Sequence, residues 1–178
     1  MTLHAALLRP LAVAVLLCPL LSLAAEPAPA GPPPDVSSLK QEIEDLKRLL
    51  PGQAHEMSDV DHHYGNLWFA ARAKNWPLAT FHMNESRFRI AWAVRIRPVR
   101  PLPGGGEIDL RPMQTHIEQS AFTELKAAID KHDVKAFEVA YKKGLGECFD
   151  CHKAIDKAFL RPEVPRSRGA SVIAVEPE

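Results

Sequence analysis

Phe137, Tyr141, Leu145, Cys148, His152 and Ile155 follow one another at spacings of four, four, three, four and three residues. That period puts all six on one face of an α-helix and is incompatible with the two-residue alternation of a strand. Similar stripes recur upstream: Met57, Val60, Tyr64, Leu67 and Ala71; Leu78, Phe81, Phe88, Trp92 and Ile96; Met113, Ile117, Ala121, Leu125 and Ala128. No segment alternates with period two, so no sheet is expected. With mostly short connections, the four stripes predict an all-α chain, an antiparallel up-down-up-down four-helix bundle over 53–158.

Local signals mark the boundaries. The first bundle helix should run from about Gln53 to Lys74, and Asn75-Trp76-Pro77 is a stop followed by a restart, since proline suits a first helical turn. The next helix, about 77–97, stops before Pro98. Residues 98–106, Pro-Val-Arg-Pro-Leu-Pro-Gly-Gly-Gly, are too rich in proline and glycine to be regular structure. Asp109 could cap the following helix, His132-Asp133 ends it, and Asp133 caps the last. Residues 159–178 read as an extended tail.

An extra amphipathic helix is expected at 37–50, opened by a Ser38/Gln41 capping box and ended by Pro51-Gly52. Its stripe is Leu39, Ile43, Leu46 and Leu50, with Glu44 four residues before Arg48. Packing on the outside of the domain is the favoured reading, and the seam of a small homodimer is the alternative. Ahead of it lies a Pro-rich linker, 26–36. Arg9, the apolar run Leu11–Ala25 and its end in Ser-Leu-Ala (22–24) or Leu-Ala-Ala (23–25), with a small residue at the cut, read as a cleaved secretory signal peptide, residues 1–25. The run is broken by Pro19 and is shorter than the roughly 20 residues of a spanning helix, so no stable membrane span is expected after cleavage.

Charge excludes one class of partner. With 22 Lys+Arg against 22 Asp+Glu, there is no footprint for nucleic acid. Of three cysteines, Cys18 leaves with the signal peptide. Cys148 and Cys151 remain, within Cys-Phe-Asp-Cys-His (148–152). A disulfide across two residues would staple almost nothing, so these cysteines serve chemistry.

Cys-x-x-Cys-His is the attachment signature of c-type haem. On a helix, thiols three residues apart can reach the two vinyl groups along one porphyrin edge. His152, four residues after Cys148, can meet the iron on the proximal side. A thioredoxin-like dithiol belongs at a helix N-terminus after a strand, and structural zinc needs about four ligands. Neither condition is met here.

A single C-terminal Cys-x-x-Cys-His on the last helix of an exported four-helix chain resembles the cytochrome c prime and c-556 class. Asn-Leu-Trp-Phe-Ala (66–70), Asn-Trp-Pro-Leu-Ala (75–79), Trp-Ala-Val-Arg-Ile (92–96) and Leu160-Arg161-Pro162 after the haem motif are also similar to a family of exported bacterial proteins. That resemblance covers about residues 50–165. It implies a periplasmic protein with one covalent haem c and brings no settled activity.

No methionine follows His152, so a second iron ligand must come from upstream. Counting 1.5 Å per residue along antiparallel helices favours the start of the helix at 53, where His63 is preferred and Met57 is the alternative. Met113 is a third candidate, while His82 and His132 are expected at the opposite end. His55 reads as solvated, and His62 and His116 lie off the apolar stripes. Arg87, Arg89, Arg95, Arg97 and Arg100 crowd the end of the second bundle helix. They read equally as a solvated terminus favoured by the helix dipole or as partners for haem propionates, with Arg95 and Arg97 best placed. The expected function is electron transfer with a redox partner protein in the periplasm. A five-coordinate gas-binding sensor and a haem peroxidase are the alternatives.

Overall fold

The computed structural model describes residues 35–169 and 173–177; the expected signal peptide and all but the last residues of the Pro-rich linker lie outside the described residues. The chain divides into two units, Met1–Glu42 and Ile43–Glu178. The first described element, α1 (Val36–Leu49), runs across that boundary. Asp35 caps it, accepting from the Ser38 backbone N–H at 2.8 Å. The expected Ser38/Gln41 box is therefore displaced, because a carboxylate is already in place one turn earlier. No residue of α1 is buried.

The second unit is built mainly from helices: α2 (Gln53–Arg72), α3 (Trp76–Ile96), α4 (Arg111–Ile117), α5 (Thr123–Asp130) and α6 (Val134–Ala154). A π-turn, Glu118–Phe122, joins α4 to α5 without a break. Two tight turns reverse the chain, each with one residue in the left-handed region. Lys74 (φ 61°) sits between α2 and α3, and His132 (φ 56°) between α5 and α6. Asn75 and Asp133 then cap the next helix, accepting from Leu78 N–H (3.2 Å) and Ala136 N–H (3.0 Å). The Trp76 and His132 rings stack 5.0 Å apart, which puts both turns at one end.

Two expectations about the α3–α4 connection need correction. Residues 98–106 are not wholly irregular, and a small sheet exists. β1 (Val99–Pro101) pairs antiparallel with β2 (Glu107–Asp109), with Arg100 opposite Ile108. Gly105 (φ 92°) and Gly106 (φ 81°) adopt the left-handed backbone that the tight connection requires. Three residues per strand are too few to show alternation in the sequence. The N-cap of α4 is Leu110, not the expected Asp109, and no side chain caps it; Asp109 ends β2 and accepts from Arg111 N–H at 3.0 Å.

The core confirms three stripes and rotates one. Val60, Tyr64, Leu67 and Ala71 of α2, Ile117, Ala121, Leu125 and Ala128 along α4–α5, and Phe137 and Tyr141 of α6 are buried. On α3, however, the buried residues are Ala79, His82, Met83, Ser86 and Ala93, whereas Phe81 and Phe88 are exposed. Small residues at 79, 86 and 93 let α3 approach α2 closely. The larger aromatics stand outside that contact, Phe88 stacking on Trp92 at 6.3 Å.

The described residues after α6 form no regular element but do not trail away. Val164 and buried Val175 pack against the core. Asn75 Nδ2 donates to the Glu176 carbonyl at 3.4 Å. Residues 173–177 thus lie back at the α2–α3 turn. Among the described residues, no helix is long and apolar enough to cross a membrane.

Candidate functional site

Contacts between α2 and α6 set the level of the pentad. Tyr64 lies against Tyr141, their rings 4.5 Å apart and nearly parallel. Trp68 lies against Phe137, and Arg72 pairs with Glu138 at 3.5 Å. Ascending α2 is therefore descending α6. Seven residues on from Tyr141 is Cys148, and seven back from Tyr64 is Met57. The start of α2 faces the pentad, as the sequence implied.

Cys148, like Met57 and Leu145, is half-buried against the core. Cys151 and His152 are half-buried. Burial pushes the Cys148 thiol up to about 12. It also raises Cys151, against which the nearby Arg100 charge acts. A dithiol redox centre needs the reverse, a stabilised thiolate.

His152 is held by the chain that follows it. After α6 ends, Asp156 takes a left-handed backbone (φ 59°) and Lys157 N–H donates back to the His152 carbonyl at 2.8 Å. Leu160 N–H then reaches the Lys157 carbonyl at 2.9 Å. The Leu160 carbonyl oxygen comes to rest 2.5 Å from His152 Nδ1. A carbonyl can only accept, so Nδ1 carries the proton, and in the neutral ring Nε2 keeps its lone pair. Metal-binding imidazoles are commonly oriented by such a bond on their other nitrogen.

Gln53 and Arg100 close this end of the structure. The buried Gln53 amide donates to the carbonyls of Ala93 (2.9 Å) and Arg97 (2.8 Å) and accepts from Arg100 Nη1. This clamp fixes β1 against α2 and brings Arg100 toward Cys151. Arg95 and Arg97, the arginines preferred from sequence, are exposed, with Arg95 over the Trp92 ring, 5.8 Å from its centroid. Arg100 stands by the pentad instead, because the strand turns its side chain inward. Pairing of residues 99–101 was the missing signal.

On the other side of the pentad, Glu147 Oε1 accepts from Ser120 Oγ at 2.7 Å and lies 3.8 Å from His116 Nε2. Its Oε2 is buried without a hydrogen-bond partner. Ser120 belongs to the π-turn, a feature frequent at functional sites.

His63 is elsewhere. Its Nδ1 lies 3.1 Å from Nδ1 of His82, and the two rings pack with Phe81. The expectation that His63 shares the level of Cys148–His152 is corrected by the α2–α6 register. It stands one residue from Tyr64, so about 10 Å along the axis from the level of Cys148. His82 is likewise not at the far end but across from His63, the short turn making them equidistant from it. Burial lowers both imidazoles, His82 to about 4. Met57 is half-buried at the level of Cys148, and Met113 is half-buried on α4.

The donor set fits covalent haem: two thiols with no disulfide between them and one imidazole with its tautomer set. Among the described residues, no group of three or more His, Cys, Asp or Glu could hold a metal ion. No protein-family model, curated protein or solved structure matches this chain.

Proposed function

We propose that the chain is an exported, periplasmic mono-haem c-type cytochrome of the cytochrome c prime and c-556 kind. Its haem is bound through Cys148 and Cys151, and His152 is the proximal ligand. The helices of the second unit are then read as an up-down-up-down four-helix bundle, α4 and α5 counting as one. The observation that carries the reading is the His152–Leu160 contact. It leaves Nε2 free on a residue whose spacing from the two thiols suits haem attachment. Bound haem would supply an iron that cycles between two oxidation states. The chain's own part is to orient His152, to cover one face with the start of α2, and to set a positive charge, Arg100, beside the attachment site.

Electron transfer with a redox partner protein is the favoured role. Met57 is the distal ligand best supported, since its half-buried thioether lies level with Cys148, while His63 is engaged with His82. The same placement favours gas binding as the second reading and weakens the peroxidase one. A distal side closed only by a thioether is readily opened, and no imidazole stands at that level on α2 except the exposed His55.

The test is production in a host that matures c-type haem. The protein should retain haem stain after denaturing electrophoresis and give a c-type pyridine haemochrome. Stain that survives in Cys148→Ala/Cys151→Ala would overturn the attachment.

A further inference from the structure

Helix α1 carries an apolar stripe that nothing described covers. On α1, Val36, Leu39, Ile43 and Leu46 repeat at three, four and three residues, and Leu50, just past the helix end, continues the spacing; each of the five is between 39% and 68% exposed. This is a heptad, with Val36, Ile43 and Leu50 at a and Leu39 and Leu46 at d. Amphipathic helices of some 12–15 residues are marginal in water when they bury nothing. The 14-residue α1 therefore calls for a partner along the stripe.

The stripe itself selects the partner. β-Branched residues at the first two a positions with leucine at d are the combination that favours two parallel strands. The flanking charges agree. Lys40 and Lys47 fall at e and Glu42 at g. In a parallel pair a g residue faces the e residue five positions later on the other chain, so Glu42 meets Lys47 twice by symmetry. In an antiparallel pair g faces g and e faces e, which sets like charges together. Lys47 is within 2.7 Å of Glu44 on its own helix, an exposed pair that costs little to exchange. A membrane surface is disfavoured, because Glu42, Glu44 and Asp45 balance Lys40, Lys47 and Arg48, leaving no basic face.

We infer that α1 is a parallel homodimerisation helix, its stripe covered by α1 of a second copy of this chain. The inference uses no residue of the haem site and stands whether or not haem is bound.

Sedimentation velocity on the purified protein, as the host processes it, tests this from about 1 µM to about 1 mM, the range expected of so short a seam. A reversible monomer–dimer equilibrium is expected. Leu39→Asp/Leu46→Asp should hold the protein monomeric while its visible spectrum and thermal midpoint stay unchanged, since both side chains are exposed. Lys47→Glu should raise the dissociation constant about fivefold, and Glu42→Lys/Lys47→Glu should restore it, because the exchanged charges still attract in a parallel pair. A protein monomeric at every concentration overturns the inference. A dimer indifferent to Leu39→Asp/Leu46→Asp assigns the interface elsewhere and overturns it as well. A dimer that the double charge exchange fails to rescue overturns the parallel orientation.

Discussion

Tyr64 and Tyr141 each donate a hydrogen bond to the other's backbone carbonyl, at 3.1 and 2.9 Å. This reciprocal pair locks the register of α2 against α6. Burial raises both phenols above their ordinary range, so they remain protonated donors. The space beneath Tyr64 is provided by Gly144, where an added Cβ would collide with the phenol oxygen and stand 3.2 Å from Cζ.

Tyr64→Phe should therefore cost about 1 kcal/mol, the net value of one intramolecular hydrogen bond. Gly144→Ala should destabilise by about 1–3 kcal/mol through overpacking, although alanine is the better helix former. In the Tyr64→Phe background that cost should shrink. Denaturant melts of the two single variants and the double variant measure the coupling; strict additivity would mean that Gly144 is not there for Tyr64.

His82 predicts a pH dependence. Its imidazole titrates near 4 in the folded chain against an ordinary 6.5. Between those values the unfolded chain holds a proton that the folded chain lacks. Stability attributable to His82 is thus fully present above pH 6.5 and falls by about 3 kcal/mol as the pH drops to 4. His82→Gln should flatten the stability–pH curve over that window relative to wild type. Parallel curves would remove His82 as the cause.

At the proposed haem site, Met57→Ala should convert a low-spin ferric spectrum to high spin and speed carbon monoxide binding, while His63→Ala leaves both unchanged. A change confined to His63→Ala would mean that α2 shifts along α6 when haem is attached, by the roughly 10 Å that now separates the two levels.

Arg100 should tune the same site. Removing a fixed positive charge near an iron that gains a positive charge on oxidation favours the oxidised state. Arg100→Gln should therefore lower the reduction potential, and Arg95→Gln and Arg97→Gln, both at exposed positions, should move it much less. Equal shifts from all three, read by redox titration, would indicate a long-range effect rather than proximity to Cys151.

Much of this was legible in the chain. The stripes of α2, α4–α5 and α6 predicted helices where they are, because an interior face must repeat at the period of the helix that bears it. The pentad was legible for the same reason: its chemistry lies in local spacing along one helix. Two signals failed for want of length or contrast. β1 and β2 are three residues each, and α3 carries apolar residues on two sides, so its periodicity alone could not tell the buried face from the exposed one.

The sequence by itself determined the helical class, the break at Asn75-Trp76-Pro77, the stop at His132 with the cap at Asp133, and the thiols and imidazole of the pentad. Each depends on residues within a turn or two of one another. Tertiary structure alone decided which side chains meet. It set Tyr64 against Tyr141, and with them Met57 at the level of Cys148. It paired His63 with His82, and it brought Arg100 rather than Arg95 or Arg97 to Cys151. Helix register is chosen by how bulky and small residues interlock across an interface. A shift of one turn moves a side chain by 5.4 Å, enough to exchange one candidate ligand for another while leaving every local pattern in the sequence unchanged.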